Sequence, residues 1–163
     1  MEMIDNQKTE RVWSRVMSCQ SAAAETPCTA AEDRGLSPRK LFTLAEEELR
    51  AAACYCRLAG MLSGCAKKAL LQMAAEERCH AKKFAALYFL ATGKKACLPK
   101  PQPCCVTCVS ESLRQLYCEE LAGQKQYEQL ADRANERGCT LRQMAADEGR
   151  PASRIYEILQ GIL

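Results

Sequence analysis

Four glutamates lie at the centres of apolar stripes that repeat at helical spacing in this chain of 163 residues. They are Glu48, Glu77, Glu120 and Glu148, and each has apolar neighbours on the same predicted helix face. This spacing directs each carboxylate toward the axis of a helical bundle. Four ionised carboxylates in a dry core are costly without counter-charge, which two divalent cations would supply. The pattern predicts a buried metal site. For any single glutamate, the alternatives are a place at the edge of a stripe, an Arg or Lys partner, or a shared proton.

The single histidine of the chain follows one of these glutamates at a spacing that suits a shared ion. His80 stands three residues after Glu77, so both side chains can reach the same metal. The alternative is a histidine without a metal role, which is exposed on its helix or hydrogen-bonded to other partners. The matching motif later in the chain begins at Glu148 but carries Pro151 where a second histidine would stand. Either one metal site survives, or the bundle persists without its chemistry.

The elements that position these residues come from an internal duplication. Residues 73–77 recur as 144–148, and the offset is 72 positions in the first part of each copy and 71 in the second. A deletion of one residue between two helices accounts for the change, so the repeated unit is a helical hairpin used twice. Val and Ile number only four each, which disfavours strands. The sequence therefore predicts an all-α four-helix bundle.

Capping residues predict where the helices begin and end. The first begins at Ser37-Pro38, the second runs from Ser63-Gly64 to Thr92-Gly93, and the third stops near Gly138. The fourth is predicted to start at Thr140, with Gln143 completing a capping box.

A connection between the second and third helices, residues 93–110, contains three closely spaced prolines that exclude a helix. It is long enough to follow a whole helix, so we expect helices two and three to point the same way, with the hairpins related by a pseudo-twofold axis. Residues 37–163 form the predicted bundle, and residues 1–36 are predicted to form an outer helix and a tether.

Composition restricts the function classes. The net charge of +3 combines interspersed signs, which gives no indication of nucleic acid as a partner. The polar start and the short apolar runs predict neither a signal peptide nor a membrane span, so we expect a cytoplasmic protein. Its twelve cysteines are expected to be mostly buried small residues or exposed thiols, with disulfides in the minority. A thiolate site built on Cys105-x-x-Cys108, with Cys97 and Cys104, is the less favoured reading.

Over roughly residues 38–163, these motifs resemble the ferritin-like superfamily, in particular rubrerythrin-like di-iron carboxylate proteins. In such families two helices each supply a Glu, and the other two each supply Glu-x-x-His. The resemblance implies that Glu77 and Glu148 bridge two metals, with Glu48 and His80 on one and Glu120 on the other. Two tyrosines, Tyr55 and Tyr127, lie two turns beyond the glutamates at 48 and 120. Core packing is their favoured role, and a hydrogen bond to a metal ligand is the less favoured, more specific alternative.

The resemblance implies a non-haem protein that holds one or two iron or manganese ions. It would reduce peroxide or dioxygen with electrons from an external donor, and a homodimer is left open. The alternatives are a non-catalytic bundle whose metal site has decayed, and a metal storage or binding protein. The sequence does not decide between iron and manganese, and it does not identify the donor.

Overall fold

The computed structural model describes residues 36–102, 104–134 and 138–162, and every regular element within them is an α-helix. The four helices are α1 (Pro38–Ala59), α2 (Gly64–Thr92), α3 (Val109–Arg133) and α4 (Gly138–Ile162). The all-α prediction is confirmed. None of these helices has an apolar stretch of the length that a bilayer crossing requires. The outer helix predicted within residues 1–36 falls outside the described residues, apart from Leu36, which is buried.

Local capping explains most of the helix boundaries. Ser37 caps α1 by accepting a hydrogen bond from the backbone N–H of Lys40 at 3.2 Å, and Pro38 occupies the first turn. Helix α2 ends at Gly93, whose φ of 67° is left-handed and whose N–H donates to the carbonyl of Phe89 at 2.7 Å. The first helix therefore begins, and the second helix ends, as the sequence predicts.

The start of α4 differs from the prediction. The helix already includes Gly138, so Thr140 lies inside its first turn and is not the cap. The side chain of Gln143 donates to Asp147 at 3.2 Å, one turn later, and does not close a capping box. Gln143 and Asp147, four residues apart on the helix surface, thus pair with each other in place of the predicted capping box.

Contacts between the hairpins fix the directions of the helices. Tyr55 on α1 donates a hydrogen bond to Glu120 on α3, and Tyr127 on α3 donates one to Glu48 on α1. Because residue numbers rise along α1 as they fall along α3, these two helices are antiparallel. Helices α1 and α2 pack together across a short turn, so α2 and α3 run in the same direction. No described residue of the 93–108 connection is helical, in agreement with the predicted crossover.

The buried core consists of two apolar clusters with a polar layer between them. On every helix the buried glutamate lies between residues of one cluster and residues of the other. The largest members of the first cluster are Leu41, Leu44, Phe84, Tyr127, Leu141 and Met144. Those of the second cluster are Tyr55, Leu58, Leu70, Met73, Leu113 and Ile155. The apolar clusters thus hold the glutamates at one level of the bundle and keep them from water.

Candidate metal centre

The structure buries all five of the residues that the sequence singles out for metal binding. The side chains of Glu48, Glu77, Glu120 and Glu148 are between 1% and 5% exposed, and His80 is 3% exposed. Each helix turns its polar residue inward because the apolar residues around it form the core-facing stripe. Burial of so many ionisable groups at one level requires a compensating partner.

Four of the five residues converge on one point. Glu48, Glu77, His80 and Glu148 each offer a ligand atom, and these atoms lie within 4.8 Å of one another, so the group could hold a metal ion. The Nδ1 atom of His80 is 2.9 Å from Glu148 Oε1 and 3.6 Å from Glu77 Oε2. Glu120 is buried in the same layer but does not belong to this group. We call these four residues the carboxylate–histidine group.

Three atoms of this group lack hydrogen bonds within the described part of the chain. They are Glu77 Oε1, His80 Nδ1 and Glu148 Oε1, all of which are buried. The 2.9 Å contact between His80 Nδ1 and Glu148 Oε1 nevertheless places the imidazole directly against this carboxylate. An unsatisfied buried polar atom costs about 1–3 kcal/mol. Carboxylate oxygens and an imidazole nitrogen left in this way are the donors that a divalent ion with mixed oxygen and nitrogen ligands would use.

The two tyrosines bond to glutamates of the opposite hairpin. Tyr55 donates to Glu120, and Tyr127 donates to Glu48, so the two bonds are reciprocal about the pseudo-twofold axis. Both rings are also buried in the apolar clusters. The sequence favoured packing alone for these residues, whereas the structure shows packing together with a hydrogen bond to a buried glutamate. Each phenol fixes one oxygen of its carboxylate.

The electrostatics of the layer favour protons when no cation is present. Burial, followed by interaction with neighbouring glutamates, raises the pKa of Glu48 well above its usual range and raises the pKa of Glu120 to about 10. Burial alone would lower the pKa of His80, but contacts with Glu148 and Glu77 raise it to about 9. The layer thus resists accumulating negative charge, and a bound divalent cation would remove the need for these protons.

Asp147 contacts the same histidine, although the sequence did not identify it as part of the site. Its Oδ2 atom is 3.7 Å from His80 Nε2 and 3.6 Å from Lys83 Nζ, and its Oδ1 atom is 3.5 Å from Arg150 Nη1. A carboxylate at the far nitrogen of a metal-binding histidine orients the ring. The sequence contains one sign of an acidic residue at this position. Asp147 directly precedes Glu148, as Glu76 directly precedes Glu77 in the first copy of the repeat.

Two cavities open toward the polar layer from opposite sides. The carboxylate cavity, of about 220 Å³, is lined by Glu48, Glu77, Glu120, Glu148 and the ion-paired Arg50 and Glu119, with small side chains at Ala51, Ala122 and Gly123. A second cavity, of about 260 Å³, is lined by residues that include His80, Asp147, Lys83 and Arg150. The small residues between α1 and α3 leave room for a small molecule at the open side of the carboxylates.

Pro151 breaks the symmetry of the site, as the sequence indicates. It lies buried inside α4, and the helix continues through it to Ile162. Proline has no N–H for the carbonyl of Asp147 and brings no nitrogen ligand. The half of the layer near Glu120 therefore has carboxylates without an imidazole.

The cysteines differ in part from their expected roles. Cys54 on α1 and Cys104 in the connection form a disulfide, with Cα atoms 5.2 Å apart. The other described cysteines are free, and all of them are exposed except Cys56, which is half-buried, so the expectation of exposed thiols holds for this part of the chain. Among the described residues, the one group with metal-ligand spacing is the carboxylate–histidine group, so Cys97, Cys105 and Cys108 do not form a thiolate metal site there.

A scan against protein-family models found no match, and a search of curated proteins found none.

Proposed function

We propose that this protein is a rubrerythrin-like non-haem metalloprotein that binds iron or manganese in its polar layer and reduces peroxide or dioxygen. The observation that carries the proposal is the convergence of Glu48, Glu77, His80 and Glu148, with three of their ligand atoms buried and without a hydrogen-bond partner among the described residues. Such atoms are costly in a metal-free core and become useful once a cation binds them.

The donor set fits a divalent ion of the iron or manganese type. Three carboxylates and one imidazole provide mixed oxygen and nitrogen ligands. Glu77 and Glu148 would face both halves of the layer, and Glu120, held by Tyr55, is the residue available for a second ion. Water would complete the coordination where Pro151 supplies no nitrogen.

The surrounding residues suit a small oxidant. A redox-active ion would supply the reversible electron transfer that reduction of peroxide or dioxygen requires. The carboxylate cavity is large enough for a molecule of this size beside the carboxylates. Tyr127 and Tyr55 hold Glu48 and Glu120 in place, so the remaining carboxylate oxygens stay directed into the layer. Contacts with Glu148 and Glu77 raise the pKa of His80 to about 9, so a cation bound by these carboxylates would displace the proton that they hold on the imidazole.

The test is the metal content of matched variants. Untagged protein is produced in medium supplemented with iron and manganese. Elemental mass spectrometry should then find at least one metal ion per chain. Glu77→Gln and His80→Ala should lose most of this metal. Glu76→Gln should retain it, because Glu76 lies on the adjacent face and pairs with Arg154 at 2.7 Å.

A second measurement separates lost metal from lost folding. Metal at a concentration 100 times its Kd stabilises the folded protein by about 2.7 kcal/mol. That corresponds to a rise in Tm of roughly 5–11 °C for a chain of this size. The rise should be present in Glu76→Gln and absent in Glu77→Gln. A folded wild-type protein with no bound metal would instead support the bundle with a decayed site. Tight metal binding without any turnover of peroxide or dioxygen would support a storage or binding role.

A further inference from the structure

The Cys54–Cys104 disulfide lies in a cavity of its own beside the metal layer. Cys54 is a buried residue of α1, and Cys104 is a half-buried residue of the connection. The cavity has a volume of about 250 Å³, and its lining includes both of these cysteines, Cys105, Arg50 and Glu119. We call it the disulfide cavity. A disulfide at the wall of a cavity is accessible to an attacking thiol, which a disulfide sealed in a core is not.

One free thiol lies next to this disulfide, and another follows three residues later in the chain. Cys105 follows Cys104 directly, lines the same cavity and is exposed. Cys108 caps the start of α3 with its Sγ 3.3 Å from Ser110 Oγ, and this hydrogen bond lowers the pKa of the Cys108 thiol. A thiolate attacks a neighbouring disulfide readily, so a purely structural bridge beside the free thiol of Cys105 would be prone to exchange. The arrangement suits a bridge that is opened and closed in use.

The disulfide cavity adjoins the carboxylate cavity. Arg50 and Glu119 line both cavities, and their side chains pair with each other at 3.2 Å. Cys54 also directly precedes Tyr55, whose hydroxyl donates to Glu120 in the polar layer. A reaction at the disulfide would therefore take place within one residue of a side chain that contacts the proposed metal centre.

We propose that Cys54 and Cys104 form a redox-active dithiol that delivers two electrons to the oxidant reduced at the polar layer. This inference rests on the proposed function and names the route of its electrons. In the first step the disulfide takes two electrons and two protons from an external dithiol, which becomes a disulfide. In the second step the two protein thiols give two electrons and two protons to hydrogen peroxide. The Cys54–Cys104 bond forms again, the O–O bond breaks, and two water molecules leave.

The test follows the thiols themselves. Iron-loaded wild-type protein is reduced with dithiothreitol, freed of reductant without air and mixed with one equivalent of hydrogen peroxide. Peptide mapping and thiol titration then measure how fast the Cys54–Cys104 bond returns. In the metal-loaded protein it should return at least about tenfold faster than in the metal-free Glu77→Gln variant, a difference of about 1.4 kcal/mol in barrier. The control Cys139→Ser, at an exposed cysteine of α4, should behave like wild type.

The outcomes separate this inference from the proposed function, because metal content is measured on each sample. Cys54→Ser combined with Cys104→Ser should keep its metal but lose turnover that is driven by dithiothreitol. The inference is overturned if the native disulfide resists dithiothreitol, or if the bond returns equally fast with and without metal. Both results leave metal binding intact. A wild-type protein that holds no metal would overturn the proposed function, and this inference with it.

Discussion

Replacing Pro151 with histidine should change both the stability of α4 and the capacity of the metal centre. Positions 80 and 151 are 71 residues apart, the same offset that relates Glu77 to Glu148, so the new imidazole would occupy the place related by symmetry to His80. Proline inside a helix costs about 3 kcal/mol through its missing N–H and its clash with the preceding turn. Roughly 1 kcal/mol of this is offset by the greater freedom of the unfolded variant chain. The metal-free variant should therefore gain about 2 kcal/mol, or roughly 4–8 °C in Tm.

The matched control is Pro151→Ala, which restores the N–H without adding an imidazole. Thermal unfolding of the two metal-free variants should show similar gains in Tm. The gain of the histidine variant is reduced by the cost of fitting the larger imidazole at this buried position. Metal content should separate them. The histidine variant should approach two ions per chain, since Glu120, Glu148 and the new histidine would form a second Glu-x-x-His half-site. The alanine variant should hold the same amount of metal as wild type.

One result would refute the symmetric arrangement of the layer. If both variants fold, both are more stable and neither binds more metal than wild type, then Glu120 and Glu148 do not share a site that an imidazole at position 151 can complete. A gain of metal in the alanine variant alone would show that the proline limits the site through helix geometry, and the missing nitrogen would then be irrelevant.

Two further predictions concern the metal-free layer. Its stability should fall as the pH rises from about 5 to about 9, because the pKa values of Glu120, about 10, and His80, about 9, lie above their unfolded values, so folding favours the protonated forms. Thermal unfolding in a chelator at both pH values checks this, and a protein more stable at the higher pH would contradict it. Tyr127→Phe should cost about 1–3 kcal/mol, because the buried Glu48 carboxylate loses its donor while the ring keeps its packing. Denaturant unfolding should show this loss, while Tyr156→Phe, at an exposed position, should show almost none.

The order of the helices and the inward direction of the glutamates were predictable from sequence because both depend on local periodicity. Apolar residues recur along each helix with one glutamate among them, and burial of the apolar face necessarily carries that glutamate inward. Capping residues such as Ser37 and Gly93 act within one turn, so they mark the ends of α1 and α2 directly. The fourth helix was predicted less well because Thr140 has the residue type of a cap but the helix already includes Gly138.

The partners of the polar residues depended on distances that no local pattern contains. Tyr127 meets Glu48 across 79 positions of sequence, and Cys54 meets Cys104 across 50. These pairs form because antiparallel α1 and α3, and a connection folded back onto α1, bring distant segments together.

The sequence by itself determined the helical repeat, the inward glutamates and the loss of a second histidine at Pro151, since each is a matter of residue type and spacing. Tertiary structure alone decided that four of the buried polar side chains converge while Glu120 stays outside their group, and that a disulfide cavity lies next to the carboxylates. Periodicity fixes which face of a helix is buried. The packing of helices against one another fixes which buried groups are close enough to share an ion or a bond.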